Sequence, residues 1–346
     1  MNRRSFLLAS SALALAPSLA GAQAAQITGA GGTFPAPVYA KWAEAAKAAG
    51  VAELNYQAIG SGGGQNQIKN RTVDFGASDA PMTHDALAAA KLLQFPTVMG
   101  AVVMIVNIPG VTTDQLQLTG ELVAEIYAGK ITKWNDTRIV EANHGLTLPN
   151  LAIAPAYRAD ASGTSYVFTS YLAAVSPEWK EKTGVGTSVR WPAGAGARGN
   201  DGVAGTVRNT RGAIGYVESA FASQNHLVTT QLRNKAGKFV TPTIAAFQAA
   251  AANADWNVAD LAANLIDTHG DTSWPIVTPT FILLPKDPAD ATRSLNVMKF
   301  FDWCFSNGSD IAASLDYIPL PKSVQDTVRA AWKAEIKGPN GAAIWG

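Results

Sequence analysis

The residues best suited to chemistry form a charge pair directly ahead of a helix-like run. In the stretch AYRADASGTSYVFTSYL, Arg158 and Asp160 precede Ser162-Gly163-Thr164, and apolar residues then recur at helical spacing. A helix N-terminus presents free N–H groups and a partial positive charge, and a guanidinium group matches tetrahedral oxyanions with paired hydrogen bonds. Asp160 is spaced to orient that guanidinium. The stretch predicts half of an anion-binding site; the alternative is a surface ion pair ahead of ordinary helix capping.

Two earlier segments repeat the pattern of small or hydroxyl residues before a helix start. In TGAGGTFPAP, residues 28–37, Thr33 is predicted to cap a helix, which leaves the N–H of Phe34 free at the helix mouth. In IGSGGGQNQIKN, residues 59–70, Ser61 is predicted to cap a helix whose glycines let a ligand approach the backbone. Ordinary capping explains any one of these starts, but several in one chain favour an anion site.

Asp79, in the segment DFGASDAP, bears on which anion is bound. An ionised carboxylate only accepts hydrogen bonds, so it repels an oxyanion unless that oxyanion carries a proton. Phosphate keeps one or two protons near neutral pH, whereas sulfate keeps none. Asp79 therefore favours phosphate, or arsenate with the same proton pattern, over sulfate or molybdate. The alternative is a turn residue ahead of Ala80-Pro81.

Catalytic motifs and cofactor motifs do not emerge from the sequence. The chain has no G-x-x-x-x-G-K-[ST] phosphate loop, Ser61 lies outside a G-x-S-x-G elbow, and the four histidines lack metal-ligand spacing. We therefore expect no enzyme activity, no cofactor and no metal. The loop GARGNDGV, residues 196–203, is read as structural, with Asp201 as a helix cap, rather than as a further anion loop.

Helical and strand patterns alternate along the chain and predict an α/β fold. Apolar runs at residues 98–107 and 281–285 have strand length and suggest that the chain leaves a first domain and later returns. We expect domain I at residues 25–104 and 279–346, and domain II at residues 105–278. The single cysteine, Cys304, falls on an apolar helix face and is predicted to be a buried, inert thiol.

The N-terminus resembles an export signal. Residues 1–24 combine a basic start, a short apolar run and a small-x-small cleavage pattern, so we expect a signal peptide removed after Ala24. Arg3-Arg4 leaves the Sec and twin-arginine routes both open. Without those two arginines, acidic and basic residues nearly balance, which gives no indication of nucleic-acid binding.

Ordered segments along the chain resemble the periplasmic phosphate-binding proteins of Pst-type ABC transporters. GAGGTFPAPVYAKW, NYQAIGSGGG, VDFGASDAPM, RADASGTS, GNDGV, GAIGYVE and FFDW all occur in the family's order, and the similarity covers essentially residues 27–337. The resemblance implies a type II periplasmic binding protein, in which two α/β domains joined by crossing strands close on a ligand between them. Gly62 and Ala161 depart from the family pattern, where a second serine and a glycine respectively are common.

The resemblance also implies ligand residues, partners and location. Asp160 matches the aspartate that steadies the arginine, and Asp79 would accept the ligand's proton. It implies a monomeric periplasmic receptor that delivers inorganic phosphate to an inner-membrane permease of two transmembrane subunits with ATPase subunits. An arsenate receptor, an extracytoplasmic phosphatase and a phosphate sensor without a transporter are the alternatives. The implied phosphate ligands are Thr33, Phe34, Ser61, Asp79, Arg158, Ser162, Gly163 and Thr164.

Overall fold

Strands and helices alternate along the chain, which confirms the predicted α/β class. A computed structural model describes residues 24–346, so the predicted signal peptide, apart from its last residue, lies outside the described residues. Among residues 24–346, no helix combines the length and the apolar character that crossing a membrane requires.

The strands of the described chain range from two residues to fifteen. They are β1 Ala25–Gly31, β2 Ala52–Ala58, β3 Phe75–Ser78, β4 Leu92–Val106, β5 Gln117–Leu118, β6 Ala154–Arg158, β7 Ala195–Ala197, β8 Ala213–Glu218, β9 Val228–Thr229, β10 Gln231–Arg233, β11 Phe239–Val240, β12 Val277–Pro285 and β13 Ile318–Pro319.

The helices mostly follow strands, as expected for βαβ units. They are α1 Ala36–Ala48, α2 Ser61–Lys69, α3 His84–Ala90, α4 Gly120–Tyr127, α5 Thr137–Ala142, α6 Gly163–Val175, α7 Pro177–Lys182, α8 Gly199–Asn209, α9 Ser219–Gln224, α10 Ile244–Ala251, α11 Ala291–Asn307, α12 Ser309–Ala313 and α13 Lys322–Glu335. A short 3₁₀ turn spans Ala259–Leu261.

One long strand connects the two parts of the main sheet. The strand order is β2-β1-β3-β12-β4-β8-β6-β7. Residues Leu92–Ala101 of β4 pair with β12, whereas Val102–Val106 pair with β8. We call β2, β1, β3, β12 and the first part of β4 the first half-sheet. The second half-sheet is formed by the later part of β4 together with β8, β6 and β7.

The buried character of β4 follows from its position at the centre of the sheet. All fifteen of its residues are buried, as are all nine residues of β12, since structure covers both faces. The two predicted apolar runs thus lie in the longer strands β4 and β12, which pair antiparallel with each other. Cys304 lies on α11 and is buried, which confirms the predicted burial of this thiol.

The parallel strands determine where functional loops gather. In the first half-sheet β1 runs parallel to both β2 and β3, and in the second β6 runs parallel to both β7 and β8. Ligands of open α/β sheets bind beyond the carboxyl ends of parallel strands. Every segment that the sequence predicts for the anion site follows one of these ends.

Candidate functional site

The candidate residues occupy loops and helix starts just beyond the strands. Thr33 and Phe34 lie between β1 and α1, Ser61 opens α2 after β2, and Asp79 directly follows β3. In the second half-sheet, Arg158 is the last residue of β6 and leads to α6. The fold therefore builds one set of candidate residues on each half-sheet.

Arg158 is only 3% exposed, and hydrogen bonds from its guanidinium group fix its orientation. Its Nε and Nη2 donate to the two carboxylate oxygens of Asp160 at 2.7 and 2.5 Å, and Nη1 donates to Thr164 Oγ1 at 3.2 Å. These bonds use three of the five guanidinium N–H donors, so two are available to a ligand. Partial burial raises the pKa of Asp160, but hydrogen bonds from Arg158 and from the Gly199 N–H outweigh that effect and lower it.

Asp79 supplies a buried acceptor on the first half-sheet. It is 1% exposed, and its Oδ1 accepts a bond of 2.7 Å from Thr280 Oγ1. Ser61 Oγ lies 3.3 Å from Asp79 Oδ2 and accepts the backbone N–H of Asp79 at 3.1 Å. Burial raises the pKa of Asp79 to about 6, although Thr280, Arg158 and Ser61 each lower it. Near neutral pH most Asp79 carboxyls are therefore ionised and able to accept a ligand's proton.

Helix α6 begins at Gly163, within the Ser162-Gly163-Thr164 stretch where the sequence predicts a helix start. Ser162 is its cap, and the Ser162 hydroxyl accepts the N–H of Ser165 at 3.1 Å. The N–H groups of a helix's first turn have no partner within the helix. Gly163 and Thr164 thus supply backbone donors, and Ser162, Gly163 and Thr164 are all buried.

The two sets of residues meet each other. A β-carbon built on Gly163 would overlap the Ser61 hydroxyl and lie 2.6 Å from Asp79 Oδ2. Glycine at this position therefore permits a close approach that alanine would block. Nearby, the N–H of Gly62 donates to the Ala161 carbonyl at 2.9 Å. The acceptor Asp79 consequently faces the donor-rich start of α6.

Two capping predictions are wrong in detail. Pro35, not Thr33, occupies the cap position of α1, and no side chain caps that helix. Ser61 is the first residue of α2, after Gly60 at the cap position, and its hydroxyl bonds to Asp79 instead of to helix N–H groups. The Thr33 hydroxyl likewise bonds elsewhere, to Asn200. Both hydroxyls thus serve contacts with other segments.

Sequence reasoning missed Asn200. The expectation of a structural loop with Asp201 as the cap is wrong for Asp201, because Arg198 occupies the cap position of α8 and Asp201 is exposed within the helix. Asn200 is fully buried, and its Nδ2 lies 2.8 Å from Thr33 Oγ1 and 3.3 Å from Thr164 Oγ1. The sequence signal that could have pointed to Asn200 was a further strand followed by small residues and a helix start.

A second buried acid lies behind Phe34. The Tyr317 hydroxyl is 2.6 Å from the Phe34 carbonyl and 2.8 Å from Glu218 Oε2. A tyrosine hydroxyl has one proton, so these two short contacts require a second proton, which fits a neutral Glu218. Burial raises the pKa of Glu218 well above its ordinary value, which agrees with that count.

The arrangement suits anion binding better than catalysis on the ligand. It combines a buried guanidinium, a helix N-terminus and several hydroxyls with one acceptor, Asp79. Within residues 24–346, no group of three or more His, Cys, Asp or Glu side chains is placed to hold a metal ion. A groove of about 420 Å³ lies beside the site and is lined in part by Thr33, Asp160 and Arg198.

Fold and site together define a solute-binding protein with two α/β halves, of the type II periplasmic class. The family described as "PBP superfamily domain" matches residues 16–307. Phosphate-binding protein PstS of Pasteurella multocida is 49% identical over 93% of this chain and 94% of its own length. The corresponding protein of Haemophilus influenzae is 48% identical over 91% of this chain and 95% of its own length. The chain therefore belongs to the PstS family of phosphate-binding proteins, which confirms the resemblance.

A solved structure supports the fold independently. The phosphate-binding protein from Stenotrophomonas maltophilia superposes with a TM-score of 0.69 over 93% of this chain and 99% of its own, at 22% identity. At that identity the likeness bears on the fold alone.

Proposed function

We propose that this protein captures inorganic phosphate between its two halves and delivers it to an ABC-type importer. The observation that carries the proposal is the meeting of Asp79, a buried acceptor, with the start of α6 at Gly163 and with the charge of Arg158. A set of donors with one carboxylate acceptor suits an oxyanion that still carries a proton. The relatives named above are phosphate-binding proteins, which supports the same ligand.

Each half is proposed to contribute part of the ligand shell. Domain I, residues 25–104 and 279–346, would supply donors and the acceptor Asp79, and domain II, residues 105–278, would supply the guanidinium and the α6 N-terminus. Asp160 orients Arg158 without touching the ligand. The proposed phosphate ligands are Thr33, Phe34, Ser61, Asp79, Arg158, Ser162, Gly163 and Thr164.

Selectivity would arise from Asp79. A protonated phosphate oxygen donates to the carboxylate, whereas sulfate would place lone pairs against it. Leaving a buried charged group unpaired costs more than the roughly 1–3 kcal/mol of a neutral group. We therefore expect strong discrimination against sulfate and little against arsenate, which shares the proton pattern of phosphate.

Transport would follow from closure. Because the complete contact set requires both halves, the ligand stabilises the closed arrangement, and a permease can recognise that shape. We propose a monomeric receptor in the periplasm, exported by a signal peptide over residues 1–24 through the Sec or twin-arginine route. Its partner would have two transmembrane subunits with ATPase subunits.

Calorimetric titration of purified, ligand-stripped protein tests the ligand. Phosphate and arsenate are expected to bind tightly and sulfate is not. Tight sulfate binding would remove the argument from Asp79, and failure to bind phosphate would overturn the proposal as a whole.

We also propose that the protein is not an enzyme. The alternative, an extracytoplasmic phosphatase, predicts hydrolysis of a phosphomonoester by the purified protein. Hydrolysis that co-purifies with the protein and is lost in Arg158→Ala would favour that alternative.

N-terminal sequencing of protein from a periplasmic extract tests cleavage after Ala24.

A further inference from the structure

Asn200 occupies a place between the two sets of candidate ligands. It is the second residue of α8, which follows β7 in the second half-sheet. Its backbone N–H and its Nδ2 both lie within bonding distance of Thr33 Oγ1 on the first half-sheet, at 3.3 and 2.8 Å. Nδ2 is also 3.3 Å from Thr164 Oγ1 at the start of α6. One amide therefore contacts hydroxyls of both halves.

The orientation of the Asn200 amide follows from its third partner. The backbone N–H of Glu218 donates to Asn200 Oδ1 at 3.0 Å. An N–H can only donate, so the amide atom that faces it must be the oxygen. The NH₂ group therefore points at Thr33 and Thr164, and its two protons suffice for both.

These bonds determine which way the two threonine hydroxyls donate. Thr33 Oγ1 accepts from the backbone and the side chain of Asn200, and Thr164 Oγ1 accepts from Asn200 and from Arg158 Nη1 at 3.2 Å. A hydroxyl has two acceptor lone pairs and one proton. With both lone pairs used, each hydroxyl presents its proton to a further acceptor. The unprotonated oxygens of an oxyanion accept hydrogen bonds, so they require hydroxyl groups that donate.

We infer that Asn200 is a positioning residue that turns the Thr33 and Thr164 hydroxyls into donors toward the anion and ties the two halves together when they close. This inference rests on the proposed phosphate-binding function. Asn200 itself does not touch the ligand. Gly199 supports the arrangement, because its positive φ of 71° favours glycine and its N–H bonds to Asp160.

Two substitutions separate positioning from a packing role. Asn200→Asp keeps the shape and the acceptor for the Glu218 N–H but replaces the NH₂ donor by an acceptor, so both threonine hydroxyls would turn toward it. Asn200→Ala removes the donor without adding charge. Asn209→Ala, an exposed position on the same helix, is the matched control.

Phosphate binding by the full mature chain is measured by calorimetry and by stopped-flow release. We expect Asn200→Ala to bind phosphate roughly tenfold to a hundredfold more weakly, as expected for the loss of two neutral hydrogen bonds, and Asn200→Asp to bind it more weakly still. The loss should fall mainly on the dissociation rate, because the bond to Thr33 exists only when the halves meet. Asn209→Ala should match the wild type.

A double-mutant cycle with Thr33→Val distinguishes the inference from a general structural effect. If Asn200 acts through the Thr33 hydroxyl, Asn200→Ala should cost several-fold less affinity in the Thr33→Val background. Fully additive losses, or unchanged affinity in Asn200→Ala, would overturn the inference, whereas phosphate binding by the wild type would leave the proposed function standing. Should Asn200→Ala fail to fold, Asn200→Asp, which keeps the Glu218 bond, replaces it in the cycle with Thr33→Val, because the repulsion between its charge and phosphate is present in both backgrounds and cancels. A wild type that does not bind phosphate overturns both.

Discussion

Replacement of Asp79 by asparagine is expected to stabilise the ligand-free protein while weakening its choice of ligand. The ionised Asp79 carboxylate is buried beside Thr280 and Ser61, and burial is the largest influence on its pKa. An asparagine of the same shape keeps an oxygen for the Thr280 hydroxyl and removes the buried charge. The substitution thus separates the destabilisation caused by the buried charge from the contribution of that charge to ligand binding.

The magnitude follows from the pKa of Asp79, which rises from 3.8 to about 6 in the folded protein. A shift of this size corresponds to about 3 kcal/mol of destabilisation once the group is ionised in both states. Because the folded pKa is raised, the stability that the proton confers is complete below about pH 3.8 and is lost as the pH rises through 6. The same relation gives a destabilisation of about 1 kcal/mol at about pH 4.5.

Urea unfolding of ligand-stripped wild type and Asp79→Asn at about pH 4.5 and pH 7.5 measures this effect. The variant's free energy of unfolding, relative to the wild type, should increase by about 2 kcal/mol between those pH values. This difference of differences cancels any cost of the amide that does not depend on pH. Asp201→Asn, which removes an exposed carboxylate beside the cleft, is the control and should show no comparable change.

The same substitution is also expected to change the ligand preference of the protein. At neutral pH the asparagine can donate as well as accept, so the preference for phosphate over sulfate should shrink. An Asp79→Asn variant with a pH-independent stability difference would refute the reasoning about the buried charge. An unchanged phosphate-to-sulfate ratio would refute its role in selectivity.

Three further substitutions test contacts around the site. Gly163→Ala places a fixed β-carbon against Ser61 and should weaken phosphate binding roughly tenfold to a hundredfold in a titration. Gly62→Ser should also weaken binding, because its β-carbon would lie 2.5 Å from that of Ala161, and adding Ala161→Gly should restore it; additive losses would contradict this. Glu218→Gln should gain stability over the wild type as the pH rises from about 4 to neutrality, because burial raises the pKa of Glu218 and the folded protein keeps a proton that the unfolded chain releases. Equal free energies of unfolding for the variant and the wild type at both pH values would count against it.

Much of the site was accessible from local sequence. Arg158, Asp160 and Ser162 lie within a single loop and helix start, so their mutual geometry depends on a few consecutive residues. The structure contains the predicted pairing of Arg158 with Asp160 and a helix that starts at Gly163, directly after Ser162. The α/β class was equally accessible, because alternating helical and strand patterns extend over many residues.

Contacts between distant segments were not accessible in the same way. Asp79 bonds to Thr280, and Asn200 bonds to Thr33, across separations that no local pattern encodes. The capping predictions for Thr33 and Ser61 were wrong for the same reason: a hydroxyl near a helix start can cap that helix or bond another segment. The contacts that the fold makes between distant segments decide between these uses.

The bonds that hold the two charged groups of the site lie within each half-sheet and its loops. Arg158 is held by Asp160 and Thr164 within its own half, and Asp79 is held by Thr280 within the other. In the proposed closure, the added contacts would be those that cross the cleft, such as the bonds from Asn200 to Thr33. Because the charged groups need little reorganisation, the binding free energy of phosphate can be used to join the halves. The bonds across the cleft should therefore govern how long phosphate stays bound.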